Sequence, residues 1–257
     1  MPLRARSDLY WNWPGVVAAY QPVMCPGGSL LARYNMAHGG DNCFMATPGT
    51  APMWSPVSGW EFDGASQYLS TGYVAGANQD RSLFIRFSGV SAVDYMYLAG
   101  AYSSTTGATG RYRFGISIDW GTTGVRFNNH SDTDGGPTIA SGVLGFAGLY
   151  GYRNGMVDSG AIGADSGDVT HALYIGALNY VGTAANFITG NVQNLVTYNR
   201  VLSAAEVWTA SRQMAYCDVN PEWSVWSRRR QWYYGSTAGF LAAWAQRNNR
   251  LLGGGVN

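Results

Sequence analysis

Apolar and polar positions alternate through the middle of the chain. The clearest run is 111–118, where Tyr112, Phe114, Ile116 and Ile118 point one way and Arg111, Arg113, Gly115 and Ser117 the other. A period of two is what a half-buried antiparallel strand requires. The run 82–87 puts Leu83, Ile85 and Phe87 on one face. Shorter strands are predicted at 94–98, 124–127, 172–176 and 191–198. Between Leu149-Tyr150-Gly151-Tyr152 and Met156-Val157 stands Asn154-Gly155. That dipeptide marks a tight hairpin, because a type I′ turn needs positive φ at both central residues.

Helical signals are few. Ser203-Ala204-Ala205-Glu206 has the spacing of a capping box, in which the serine hydroxyl and the glutamate satisfy each other's backbone amides. It predicts a short helix near 204–215, and 240–250 is a second, weaker candidate. No repeat of 20–50 residues is evident, which argues against a propeller or solenoid. Many short strands with regular turn signals imply an all-β protein, an antiparallel β-sandwich or jelly roll. Residues 21–60 hold five of the nine prolines and read as an irregular lead-in. The expected organisation is an N-terminal arm and lead-in over 1–58, the jelly roll over 59–216, and a Trp/Arg-rich arm over 217–257.

Composition narrows the chemistry. The 257 residues are 46% hydrophobic and 14% aromatic, with 35 glycines. Charged residues are 12%, about half the usual share. All sixteen basic residues are arginine, so a Walker phosphate loop and a Schiff-base lysine are both excluded. A net charge of +1 supplies no global field for nucleic acid. The basic surplus sits at the ends, with seven arginines against two acids in 1–20 and 221–257. Cys25, Cys43 and Cys217 form no CxxC motif; a Cys25–Cys43 bridge and buried free thiols both remain open. No apolar run suits a signal peptide or a membrane span, so a soluble protein off the common secretory route is expected.

Three segments, in order, resemble one family. Gly59-Trp60-Glu61-Phe62-Asp63-Gly64-Ala65-Ser66-Gln67-Tyr68-Leu69-Ser70 is similar to the opening strand pair of laminin-G/concanavalin A-like domains. Leu149-Tyr150-Gly151-Tyr152-Arg153-Asn154-Gly155 is similar to their hairpin. Tyr174-Ile175-Gly176 through Tyr198-Asn199-Arg200-Val201-Leu202-Ser203-Ala204-Ala205-Glu206-Val207 is similar to their closing signature, the most specific of the three. The resemblance implies a jelly roll of two antiparallel sheets, one concave. The family's tryptophan and histidine before the hairpin are replaced here by residues 142–148. Asn220-Pro221-Glu222-Trp223 to Arg230 resembles an extension that follows such domains in phage and prophage proteins.

Catalytic and binding candidates follow from residue types. A glycosidase on this fold needs two carboxylates flanking the scissile bond. Glu61 and Asp63 have alternate-position spacing, but the favoured reading is a turn cap at Asp63 and a solvated Glu61. No G-x-S-x-G exists, and His38, His130 and His171 lie far apart in sequence, without zinc-ligand spacing. The Asn129-His130-Ser131 sequon carries no expected glycan. Calcium is the one cofactor with candidate ligands: Asp132, Asp134, Asp165 and Asp168 could supply hard oxygens, with solvated turn aspartates as the competing reading. For sugar, Trp54, Trp120 and the Tyr95/Tyr97 pair are candidate platforms.

The ends hold six of the ten tryptophans. Trp11, Trp13, Trp223, Trp226, Arg228, Arg229, Arg230, Trp232, Tyr233 and Tyr234 are the residue types enriched at interface hot spots. The expectation is a non-enzymatic structural protein of a tailed-phage virion, a capsid decoration protein held by its arms. Its partners would be the major capsid protein or neighbouring copies of itself, as a homo-oligomer on a symmetric assembly. The alternatives are a receptor-binding module for a host-surface glycan and, less favoured, a polysaccharide hydrolase. No membrane partner is expected, and nucleic acid is disfavoured because three adjacent arginines give only a short footprint.

Overall fold

The structure, a computed structural model, describes residues 10–23, 32–33, 35, 37, 47–91, 95–104, 111–119, 124–163 and 167–216. The cysteines and the helix predicted at 240–250 lie outside these residues. The first strands in chain order are β1 (Val16–Tyr20), β2 (Thr47–Pro48), β3 (Met53–Ser55), β4 (Gly59–Asp63), β5 (Leu69–Gly76), β6 (Ser82–Ser88), β7 (Met96–Ser104) and β8 (Arg111–Asp119). They continue as β9 (Gly124–Asp134), β10 (Gly142–Ala147), β11 (Tyr150–Arg153), β12 (Met156–Ala161), β13 (Val169–Ile175), β14 (Leu178–Tyr180), β15 (Thr183–Ala185) and β16 (Thr189–Tyr198). Helix α1 (Ala204–Tyr216) follows.

Two sheets form. One runs β12-β11-β10-β6-β16-β4-β3, with β1 also paired to β16. The other runs β15-β14-β7-β13-β5-β2, with β8 on β7 and β9 on β8. The strand pairs are antiparallel except β14 with β7. The all-β sandwich is therefore as the alternation predicts. Strands β1, β2 and β3 come from the stretch read as lead-in and are integral to the sheets. The paired sheet also accounts for 142–148: β10 pairs with both β6 and β11 although the family's tryptophan and histidine are missing.

The core lies between the sheets. The first sheet contributes Trp60, Phe62, Leu83, Ile85, Phe87, Leu144, Phe146, Val192 and Leu195. The second contributes Leu69, Leu98, Phe114, Ile116, Ile118, Val125, Phe127, Leu173 and Ile175. Each set sits at alternate positions of its strands, since successive side chains leave a strand on opposite faces, except that an irregularity between Val192 and Asn194 puts Val192 and Leu195 of β16 three residues apart on the same face. A second apolar layer covers the far side of the first sheet. There Phe84, Val143, Val196 and Tyr198 pack under Val207, Ala210 and Met214 of α1 and under Tyr10. Strand β6 is thus buried on both faces, which its one-sided alternation does not announce.

The turn at Asn154-Gly155 has φ of 51° and 87°, as the hairpin signal requires. Helix α1 starts on the predicted capping box. The Ser203 amide donates to Glu206 Oε2 at 2.8 Å, and the Glu206 amide donates to Ser203 Oγ at 3.4 Å. Arg200 grips the same carboxylate through both terminal nitrogens, at 2.7 and 3.1 Å. That hydrogen bonding, against the opposing effect of burial, pulls the Glu206 carboxyl down from 4.5 to about 2. A carboxylate lowered by folding stabilises the fold fully above its unfolded pKa and loses that contribution as pH falls through the folded value. Thermal unfolding should therefore show a stability loss between pH 4.5 and about 2 that Glu206→Gln removes. Ser203→Ala should cost about 1 kcal/mol at neutral pH. An unchanged melting curve in both variants would show that the cap does not hold the helix.

Candidate functional site

The outward face of the second sheet carries a connected row of tyrosines and arginines. Register places Tyr180 of β14 opposite Tyr102 of β7, and Tyr102 opposite Arg113 of β8. The two tyrosine rings stack with centroids 4.7 Å apart and planes 3° from parallel. The Arg113 guanidinium lies 5.7 Å from the centre of the Tyr102 ring, and its Nη1 donates to the Tyr95 hydroxyl at 3.3 Å. Arg126 of β9 lies 5.9 Å from the Tyr95 ring centre. The Tyr95 and Tyr97 hydroxyls share a hydrogen bond of 2.9 Å.

Local chemistry explains the row. Gly100 and Gly115 face each other across β7 and β8. A Cβ at Gly100 would come within 2.4 Å of the Tyr97 ring, so the ring occupies the space that a side chain at Gly100 would otherwise fill. Tyr97, Tyr102 and Leu178 thereby form a small buried cluster of their own under the exposed groups. Tyr180 is held by the β14–β15 turn, Val181-Gly182, with φ of 50° and 90°. Positive φ is strained for a β-branched residue. The turn is braced by Asn179, whose Oδ1 accepts from the Gly182 amide and whose Nδ2 donates to the Ala172 carbonyl, both at 2.8 Å. Tyr180 keeps 52% of its surface exposed.

Two carboxylates edge this face. Asp134 accepts from Arg126 Nε at 2.8 Å. Asp132 Oδ2 lies 3.4 Å from Arg113 and 3.7 Å from Arg126. Burial disfavours the Arg126 charge, but its hydrogen bond and attraction to Asp134 outweigh this and raise its pKa. Burial, with the neighbouring Tyr95, pushes the Tyr97 phenol up, so it stays a protonated hydrogen-bonding group. Among the described side chains of this face, the two arginines and the two aspartates balance. The face offers aromatic surface, hydroxyls and half-exposed carboxylate oxygens.

The sequence candidates distribute as follows. Tyr95 and Tyr97 belong to this face. Tyr102, Arg113, Arg126 and Tyr180 were not singled out; the outward position of Arg113 in the alternation of 111–118 was the available signal. Trp54 is half-buried against the core, with its indole N–H donated to the Pro22 carbonyl at 2.9 Å. Trp120 and Asp165 lie outside the described residues. Asp132 and Asp134 each face arginine, which neutralises the charge a calcium ion would seek. Asp168 is exposed. Among the described residues no group of three or more His, Cys, Asp or Glu could hold a metal ion.

Glu61 accepts from the Ser58 hydroxyl at 2.5 Å. Asp63 accepts from the amides of Ala65, Ser66 and Gln67 and is pulled below the usual carboxylate range by them. With its oxygen committed to three backbone amides, Asp63 is the cap of the turn after β4, and Glu61 is its neighbour. His130 Nδ1 meets the Gly167 carbonyl at 2.5 Å, and His171 Nδ1 meets Ser103 Oγ at 3.0 Å. Asn129 is fully buried, and its amide donates to the Gln79 and Gly148 carbonyls at 2.8 Å each, which leaves no room for a glycan.

Of the interface candidates, Trp11 and Trp13 are half-buried on this chain's own second apolar layer. Trp11 meets Tyr10 edge-on at 4.8 Å, and Trp13 lies 6.3 Å from Tyr198. Trp223, Trp226, Arg228, Arg229, Arg230, Trp232, Tyr233 and Tyr234 lie outside the described residues.

No protein-family model matches the chain, and no curated protein matches it. Solved structures do. Trypanosoma rangeli sialidase in complex with sialic acid superposes with a TM-score of 0.51 at 16% identity, over 81% of this chain and 34% of that one. The same sialidase with 2,3-difluoro-KDN gives 0.50 at 17% identity over the same shares. A mutant NanB sialidase from Streptococcus pneumoniae gives 0.40 at 14% identity, over 58% and 27%. The chain spans about a third of the length of the Trypanosoma rangeli sialidase. The likeness shows a shared β-sandwich fold.

These neighbours overturn two expectations. The reading of a tailed-phage structural protein does not stand: the solved structures above that share the fold are sialidases, and Trp11 and Trp13 rest on their own body rather than projecting as adhesive arms. The reading of a non-enzyme finds no support in them either: the sialidases above, of which this chain spans about a third, are enzymes.

Proposed function

We propose that this chain is a carbohydrate-recognition β-sandwich belonging to a glycan-processing protein, and that sugar seats across β14, β7, β8 and β9. The observation that carries the proposal is the exposed Tyr180 ring, stacked on Tyr102 in line with Arg113 and Tyr95 and edged by Asp132 and Asp134. Pyranose rings present a C–H face and a rim of hydroxyls. An aromatic ring meets the first by apolar contact, and paired polar side chains meet the second. The sialidase neighbours support a glycan-handling context. We further infer a jelly roll of the laminin-G/concanavalin A-like type. In support, the three resembling segments fall on β4 to β5, on the β11 hairpin, and from β13 to the start of α1.

Calorimetric titration of the full chain with an oligosaccharide panel tests the proposal. Saturable binding to at least one glycan is expected. Tyr180→Ala should weaken it about tenfold, equivalent to about 1.4 kcal/mol, with the circular dichroism spectrum unchanged. A parent protein that binds no glycan, or binding indifferent to Tyr180, overturns the assignment.

A further inference from the structure

We infer that this face takes a neutral oligosaccharide and discriminates against sialic acid and other acidic sugars. The inference rests on the carbohydrate-recognition reading above and names the ligand class of that same site.

Two arginines on a sugar-binding face would ordinarily invite a carboxylate, since a guanidinium fork matches it in charge and geometry. Here the acids are already supplied by the chain. Asp134 Oδ1 holds Arg126 Nε, and Asp132 Oδ2 lies between Arg113 and Arg126. Among the described side chains of the face, the charges of Arg113, Arg126, Asp132 and Asp134 cancel. An acidic sugar would have to displace an internal carboxylate, or sit beside two that repel it. Each aspartate holds its arginines through one oxygen, so Asp132 Oδ1 and Asp134 Oδ2 stay available as hydroxyl acceptors. Their side chains are 46% and 48% exposed, against 19% and 23% for the arginines. What the surface offers to solvent is therefore acceptor oxygen and tyrosine ring, with the cations drawn beneath.

Geometry also sets a length. Tyr180 on β14 and the paired part of β9 that carries Arg126 are separated by three inter-strand steps, about 14 Å. One pyranose ring cannot touch both ends, so an oligosaccharide is required to use the whole row.

The test compares maltotriose and cellotriose with sialyllactose and trigalacturonate, by titration of the full chain at low and at high salt. A neutral trisaccharide should bind about tenfold more tightly than either acidic one and with little salt dependence. In Asp132→Asn/Asp134→Asn the arginines lose their partners. Neutral binding should then fall, and an acidic trisaccharide should gain about tenfold in a salt-sensitive manner. A parent protein that prefers an acidic trisaccharide overturns this inference and leaves the carbohydrate reading standing. One that binds none of the four while binding another neutral glycan supports the charge argument. One that binds no glycan at all overturns both. The parent panel decides the charge preference even if the double variant fails to fold.

Discussion

Truncating Phe114 to alanine is expected to lower the unfolding free energy by about 3–5 kcal/mol. Phe114 has no exposed surface and sits on β8, between β7 and β9. Its ring meets Phe146 edge-on, with centroids 5.2 Å apart and planes at 88°, and Tyr73 at 6.0 Å. Phe146 comes from the opposite sheet, so removing the Phe114 ring opens a cavity at the joint between the layers. The sheets can collapse into it only by shifting whole strands, so little of the lost contact is recovered. Against a total stability of about 5–15 kcal/mol this is a large share. Urea unfolding should show a lower midpoint with an unchanged slope, because the surface exposed on unfolding hardly changes. A loss below about 1 kcal/mol would mean that the two sheets do not lock together at this ring.

How far such arguments run from sequence depends on which physics set each element. Strand β8 was readable because one of its faces is apolar and the other carries Arg113, Gly115 and Ser117, so the alternation survives even though Ser117 is buried. The Asn154-Gly155 hairpin and the Ser203–Glu206 cap were readable because each is decided within a few residues. Phe84 was not, because its burial comes from α1 and Tyr10, more than seventy residues away in either direction. Strand β1 was hidden for the same reason: it pairs with β16, and an apolar Val16–Tyr20 says nothing about so distant a partner.

The site shows the same division. Arg113 was legible as an outward residue, but the Tyr180–Tyr102 stack depends on a parallel pairing that no local pattern encodes. Its hairpin was further disguised by Val181, a residue type that turns with positive φ rarely contain. Trp11 and Trp13 are ambiguous in the sequence because tryptophan suits a protein's own second layer as well as a foreign surface. Composition gives the residue's appetite for burial and not the surface that satisfies it.

Gly115→Ala is the complementary experiment, one position along from Phe114 and on the other face of β8. There the site and the fold meet. A Cβ on Gly115 would lie 2.2 Å from the Ala99 carbonyl oxygen and 2.7 Å from the Gly100 Cα, both backbone atoms of β7. A flexible side chain could swing away from such a contact, but a paired strand cannot without breaking its ladder. The φ of 155° at Gly115 adds a conformational preference for glycine. The expected cost is about 3 kcal/mol, above the usual effect of a surface substitution because the clash is with main chain. The displacement would also separate β7 from β8, which carry Tyr102 and Arg113. Glycan affinity should therefore fall even in conditions where the variant remains folded, although Gly115 has no side chain to touch a ligand. Measured together, urea unfolding and oligosaccharide titration of Gly115→Ala should move in the same direction. Full stability would show that β7 yields at this contact. Full affinity in a destabilised variant would show that the register of Tyr102 and Arg113 is not what recognises sugar.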